Sequence, residues 1–341
     1  MPDTLSCSES RRSAAWRKLT PYVDSRGLIS IGVGFNLHEP HVRAAVLAEF
    51  GVQNAGNDAT YYAQLVSVLS GTYIGSVAQA NALSDLDRIM AARIAGDQFD
   101  FVNSAPVKAV FDSLAPGYEA IVNQKTPGLA PYSAERIALF SIAYNTKNGN
   151  GLGKLLKDAV ASGNRAEAWF EIRFNTNPTS SDQNGIARHR CYESQTFGLY
   201  DQGAAPTAED ARQVYAMLAR HRGEILAYEA AFGTPPDSPT NQVGQLRIAA
   251  ANNDYALTGS GNEVQTLWLA LEPARNAFVT WINSTQLPAG ETPLVASEWN
   301  PAAIAYNSPP SRSPSSMPDL WTAWARAWTA ICWSGTTPPT T

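Results

Sequence analysis

The stretch Leu19–Leu37, LTPYVDSRGLISIGVGFNL, constrains the fold more than any other part of the chain. Tyr22–Ile31 predicts two short strands joined by a Ser-Arg-Gly turn, and polar and apolar residues alternate in the second strand. Gly32 and Gly34 then interrupt the pattern, and Asn36 begins a loop. A tight hairpin is therefore expected here, with residues two apart sharing one face of a strand.

Helices are predicted on both sides of this hairpin. The first should run from about Thr4 to Leu19 and end at Pro21, because the residue before a proline avoids the α region. After Pro40 the apolar residues recur every three to four positions, which is typical of amphipathic helices. The predicted helices are His41–Phe50, Tyr61–Leu69, Val77–Ile94, Val107–Val122, Ala134–Tyr144, Leu152–Ser162, Arg165–Arg173 and Ile186–Leu199. One small sheet followed by many helices is an α+β fold that is mostly α.

The C-terminal part differs in composition, since residues 241–341 contain seven of the nine tryptophans. We expect one domain at 1–205 and a helical extension at 206–341, made of a long helix at 207–232, a linker at 233–240 and this Trp-rich region. A helix at Asp319–Trp333 would place Trp321, Trp324 and Trp328 on one face. These rings either pack into a core or form a platform on which sugar rings stack.

Composition narrows the classes of function. Hydrophobic residues make up 44% and charged residues 16%, which is typical of a folded protein. The formal net charge of −5 falls entirely after residue 200, where acidic residues outnumber basic ones. Nucleic acid is therefore not expected as a partner, since phosphate binding requires a clustered basic face. No apolar run is long enough to span a bilayer, so no membrane partner is expected, and the N-terminus does not resemble a signal peptide.

Metal and thiol chemistry have weak sequence support. Cys7, Cys191 and Cys332 are far apart and odd in number, which favours three free thiols over a disulfide framework. His38 and His41 are three residues apart before a helix, a spacing that suggests solvated side chains or, alternatively, part of a zinc site. We expect neither a metal nor another cofactor.

The hairpin resembles the active-site hairpin of the phage-type lysozymes, the family of the muramidases of T-even bacteriophages. The shared pattern is Tyr-x-Asp-x-x-Gly followed by x-x-Ser-Ile-Gly-x-Gly, in which Tyr22, Asp24, Ser30 and Gly32 occupy matching positions. Glu135–Asn145 and the segments GLGKLL, Ala166–Phe174 and Gly185–Leu199 are similar, in the same order, to the family's helical lobe. The resemblance covers most of residues 1–200 and is poor between about 50 and 130.

The resemblance implies a two-lobed, lysozyme-like domain and assigns roles to particular residues. Asp24 and Ser30 would hold the water that attacks the anomeric carbon with inversion, while Tyr22, Gly32 and Asn145 would contact substrate. Arg188 and Arg190 follow Gly185, where the family has basic residues near the cleft, and surface ion pairs are the alternative explanation for them. For Asp24 the alternative is an aspartate that caps a turn.

One position departs from the family pattern. The family has a glutamate seven residues before the tyrosine, where it acts as general acid, and this chain has Ala15. Glu9 is the only acidic residue of the predicted first helix proper. Six residues separate it from position 15, about 9 Å along and 600° around a helix, so it would lie on another face. The sequence therefore predicts either an inactivated variant or, less simply, a shifted acid at Glu9.

The resemblance implies hydrolysis of the β-1,4 bond between N-acetylmuramic acid and N-acetylglucosamine in peptidoglycan. The segment RGLISIGVGFNLHEP, the long middle and the extra C-terminal part resemble the pesticin-like bacteriocins and type VI secretion effectors more than the short phage enzymes. These act on the wall of a target cell after delivery, either by a secretion-apparatus carrier or, in phages, through a holin. A cognate immunity protein is then an expected partner. If Ala15 is the natural residue, a non-catalytic peptidoglycan-binding module or a structural part of a phage tail is the alternative.

Overall fold

Part of the expected architecture lies outside the residues that can be described. The computed structural model describes residues 18–130, 133–175, 183–201, 205–232, 248–249, 251–253, 257–260, 263–285 and 293. Position 15, Glu9, Cys7, Cys332, the 233–240 linker and the predicted helix at Asp319–Trp333 all lie outside them.

Three antiparallel strands form the sheet, in the order β1-β2-β3. Their bounds are Lys18–Val23, Ile29–Gly32 and Phe35–Asn36. The prediction that a helix continues to Leu19 is wrong for its last two residues, because Lys18 and Leu19 already belong to β1. Pro21 lies within this edge strand, where the pairing with β2 is irregular between Lys18 and Tyr22. An edge strand tolerates proline, since the missing N–H is not needed by a second neighbour.

Helices make up most of the described chain, so an α+β fold that is mostly α is confirmed. We number the regular α-helices in chain order, with bounds as follows: α1 Pro40–Glu49, α2 Ala59–Leu69, α3 Ser76–Arg93, α4 Ser104–Lys125, α5 Ala134–Asn145, α6 Lys154–Ala161, α7 Arg165–Phe170, α8 Gln183–Phe197, α9 Ala208–Phe232 and α10 Leu267–Thr285. Short 3₁₀ turns occur at Gly56–Asp58 and Lys147–Gly149, and α7 continues into a π-helical turn at Glu171–Asn175.

The helix ends follow local chemistry that the sequence contains. Asn103 caps α4 by accepting a hydrogen bond from the Ala105 amide at 2.8 Å. Thr207 and Asp210 cap α9 reciprocally, each side chain accepting from the other residue's backbone N–H. Gly51 and Gly163 adopt positive φ just after helices α1 and α6, a conformation that glycine adopts without the steric cost of a Cβ.

One hydrophobic core joins the sheet to the helices on both sides of residue 205. Ile29 and Ile31 of β2 are completely buried, and the same cluster continues through Phe170 of α7 to Ala211 of α9 and Leu271 of α10. The domain boundary expected between 205 and 206 thus separates segments that share this core. No helix in the described part of the chain combines the length and apolarity required to cross a bilayer.

Candidate functional site

Asp24 closes the turn between β1 and β2. Its Oδ1 accepts hydrogen bonds from the backbone N–H groups of Arg26 and Leu28, both at 2.9 Å. Its Oδ2 lies 3.2 Å from the Arg26 guanidinium, and the Asp24 side chain remains 20% exposed. The turn-capping role is therefore present, and it holds the carboxylate in one orientation while leaving part of it open to solvent.

Tyr22 and Ser30 lie directly opposite each other on β1 and β2. Burial raises the pKa of the Tyr22 phenol and the nearby Asp24 carboxylate raises it further, whereas a hydrogen bond with Ser30 lowers it. Three of the residues expected at the site are thus neighbours at one end of the hairpin. Because Tyr22 remains protonated at neutral pH, it is available as a hydrogen-bond donor beside a carboxylate.

Ser30 does not face an open cleft as expected from strand alternation. It is only 4% exposed, and all four residues of β2 are buried. Alternation of side chains along β2 predicts an open Ser30 only if one face of the strand is solvated. In the structure β2 is the central strand of the sheet, and the residue opposite Ser30 is a tyrosine that bonds its hydroxyl. Ser30 is therefore not open to a ligand in this structure.

Gly32 begins the turn between β2 and β3 for a steric reason. It adopts φ +68°, and a Cβ at this position would lie 2.8 Å from the ring of Phe35, itself 1% exposed. This contact accounts for glycine by packing, and substrate binding by Gly32 stays a prediction. In the same turn, the Val33 carbonyl accepts a 3.5 Å hydrogen bond from the Tyr144 hydroxyl, which joins the sheet to the C-terminal end of α5.

Asn145, the last residue of α5, reaches across to helix α8. Its Nδ2 donates to the Ser141 carbonyl at 2.8 Å and lies 2.7 Å from His189 Nε2. Asn145 is exposed and follows Tyr144, whose hydroxyl contacts the turn between β2 and β3. Sequence reasoning missed His189, although its position between Arg188 and Arg190 was a signal that this turn of the helix is polar.

Arg190 is buried and does not form the surface ion pair considered for it. Its side chain is 3% exposed and pairs with Glu193, whose side chain is completely buried. The His189 Nε2 lies 3.9 Å from the same Glu193. Arg190 therefore does not face a polymer in this structure and influences the site only through its neighbours. Arg188, on the same helix, is half-buried.

A second polar cluster lies between α7 and α9. His221 Nε2 is 2.5 Å from Glu167 Oε1, and its ring stacks on Phe170 with centroids 3.8 Å apart. Burial raises the pKa of Glu171, even though Asn175 donates a hydrogen bond to its carboxylate at 2.9 Å. This cluster connects the helical lobe to the extension and was not foreseen from the sequence.

Metal chemistry finds no support in the described residues, where no three His, Cys, Asp or Glu side chains converge as ligands would. Of the two histidines considered for zinc, His41 has its Nε2 3.4 Å from the Tyr118 hydroxyl. No family model, curated protein or solved structure matches the chain.

Proposed function

We propose that the chain is built as a peptidoglycan muramidase of the phage lysozyme type. The observation that carries the proposal is the grouping of Tyr22, Asp24 and Ser30 at one end of the hairpin. Hydrolysis of a glycosidic bond requires a carboxylate that activates water or stabilises the sugar cation, and an acid that protonates the leaving oxygen. Asp24 supplies a fixed, partly exposed carboxylate, which suits the first role.

The second role is vacant in this sequence, because Ala15 has no proton to donate. We infer that the chain as given is nearly inert and that Ala15→Glu would make it active. General acid catalysis contributes about 10²–10⁴-fold in rate, so the difference should be large.

Release of reducing ends from purified peptidoglycan tests this inference, with Ala15→Gln as the matched control. Glutamine has nearly the shape of glutamate but cannot protonate the leaving group. We expect Ala15→Glu alone to restore cleavage, and expect Asp24→Asn to abolish it in that background. Asparagine retains an oxygen that can accept the turn hydrogen bonds. Equal activity of the Ala15→Gln and Ala15→Glu variants would show that position 15 does not hold the general acid. The same conclusion would follow if the given chain were fully active and Glu9→Gln removed that activity.

The alanine itself favours one alternative, a peptidoglycan-binding module without catalytic activity. This alternative predicts that the given chain binds the wall and that Ala15→Glu produces no cleavage. A structural role in a phage tail would predict neither wall cleavage nor wall binding by the isolated chain.

The proposed activity implies a place of action outside the cytoplasm of the target cell. A muramidase of this kind would act in the periplasm of a target cell, so we infer an antibacterial effector with a cognate immunity protein. Periplasmic expression of the Ala15→Glu chain should lyse bacteria, and lysis should cease when the immunity protein is co-expressed. If the Ala15→Glu chain cleaves purified peptidoglycan but does not lyse bacteria, the toxin role would be refuted and the muramidase activity would be retained.

A further inference from the structure

An open groove of about 750 Å³ lies between α10 and the segment that leads into α9. Its lining alternates apolar and polar side chains along one face of α10. The lining includes Pro206, Leu269, Glu272, Asn276, Thr280 and Trp281. Leu269 is 47% exposed, and Asn276 and Thr280 are exposed as well.

The backbone of α10 is opened beside this groove. Pro273 lies inside the helix and has no N–H, so the Leu269 carbonyl loses the donor that would normally satisfy it. One residue further on, a side chain also bonds the helix backbone. The Tyr200 hydroxyl accepts from the Ala274 N–H at 3.2 Å and donates to the Ala270 carbonyl at 2.9 Å. Leu269, whose carbonyl lacks its usual helix donor, is itself a lining residue of the groove.

The electrostatic character of the groove excludes several kinds of ligand. Glu272 is its one charged lining residue in the described chain, and that carboxylate lies 3.7 Å from the Arg275 guanidinium. Among the described residues no lysine or arginine lines it, so phosphate groups and nucleic acid lack there the cations that they require. An uncharged ligand with hydroxyl and amide groups fits this lining.

We propose that this groove binds N-acetylated sugar units of a glycan strand, at a site separate from the hairpin. Sugar rings have apolar faces that pack on aromatic side chains, and Trp281 offers such a ring at one end. The Asn276 carboxamide and the Thr280 hydroxyl can donate to and accept from hydroxyl and acetamido groups, and the Leu269 carbonyl can accept from them. From Leu269 to Trp281 the helix rises about 18 Å, which accommodates several sugar units in a row.

This inference rests on the proposed function, because it takes the ligand to be the same polymer that the hairpin would cleave. A second site of this kind would hold the enzyme on the insoluble wall between cleavage events. Its expected effect is therefore on binding to the polymer, and only indirectly on the rate of bond cleavage.

Isothermal titration of the full chain with a tetramer of N-acetylglucosamine tests the proposal. We expect binding that Trp281→Ala weakens about tenfold or more. Asn276→Arg should also weaken it by placing a long cation in the groove. Asn276 is exposed, so this variant retains the fold if Trp281→Ala does not. Leu155→Ala, at a 58% exposed apolar position on α6, is the matched control and should bind as the unmodified chain does.

Failure of this proposal can be distinguished from failure of the muramidase proposal. No binding of the tetramer, or binding that neither groove variant changes, would overturn the groove. Groove-dependent binding without any cleavage by the Ala15→Glu chain would refute the muramidase and retain the groove. Asp24→Asn should leave the groove-dependent heat unchanged, and its loss in that variant would mean that the tetramer binds at the hairpin.

Discussion

Replacing either glycine of the β2–β3 turn by alanine separates backbone strain from side-chain packing. Gly32 has φ +68° and Gly34 has φ +90°, a region that residues with a Cβ avoid at a cost of about 1–2 kcal/mol. At Gly34 a Cβ would meet nothing within 4 Å. At Gly32 it would lie 2.8 Å and 2.9 Å from two ring carbons of Phe35 and 3.4 Å from Val107. Both substitutions thus introduce backbone strain, whereas only Gly32→Ala also introduces a steric clash with Phe35.

The magnitude follows from the burial of the neighbour. Phe35 is 1% exposed and packed in the core, so it cannot move into solvent, and overfilling a packed core costs roughly 1–3 kcal/mol. Gly34→Ala should therefore destabilise the fold by about 1–2 kcal/mol, and Gly32→Ala by about 2–5 kcal/mol. The difference between the two, about 1–3 kcal/mol, is the contribution of the Phe35 contact.

Equilibrium urea denaturation followed by circular dichroism measures both values. Equal free energies of unfolding for the two variants would refute the packing argument. Normal stability of Gly32→Ala together with lost activity in the Ala15→Glu background would instead favour direct contact between Gly32 and substrate.

Three further predictions concern other parts of the structure. Tyr200→Phe removes the hydroxyl that bonds both the Ala270 carbonyl and the Ala274 N–H. Loss of these two hydrogen bonds should lower the free energy of unfolding by about 1–3 kcal/mol, and an unchanged urea midpoint would mean that neither bond contributes to stability. Arg190→Met removes the arginine that pairs with the buried Glu193 carboxylate and should lower the free energy of unfolding by about 3–5 kcal/mol, whereas Lys154→Met, at a lysine that is 82% exposed, should leave it unchanged in the same urea denaturation. Burial raises the pKa of Glu171, so the folded state favours the protonated carboxyl and loses stability as the pH rises through that pKa. The melting temperature of Glu171→Gln should therefore rise relative to that of the unmodified chain between pH 4 and pH 7. A difference in melting temperature that stays constant over this range would contradict the prediction.

Local signals in the sequence predicted much of the fold. The Ser-Arg-Gly turn, the glycines at the helix ends and the three-to-four spacing of apolar residues depend on neighbours in the chain, and the helices from α1 to α9 appear within a few residues of their predicted bounds. Helix α10 lies within the extension that was expected to be helical, but its bounds were not predicted, and Pro273 inside it is a residue that normally argues against a helix. The Tyr200 hydroxyl that bonds its backbone is distant in sequence, so no local pattern reveals it.

The candidate site was harder to predict for a related reason. The spacing of Tyr22, Asp24 and Ser30 along a hairpin is a local property, and the structure brings these residues together. The burial of Ser30 and of Arg190 depends on which residues cover them, and that follows from tertiary packing. His189 was missed because its partner, Asn145, belongs to another helix. Burial and cross-helix contacts therefore required the structure, whereas the placement of the hairpin residues did not.

The core that continues from β2 to α10 bears on how such a chain can recombine during evolution. Phe170 of α7 stacks on His221 of α9, and Tyr200 bridges the backbone of α10, so each side of residue 205 has contacts matched to the other. A crossover at that point would join halves whose buried surfaces had not changed together. Inheritance as a single unit is the outcome that this packing favours, and new specificities would then arise by substitution within the extension more readily than by its exchange.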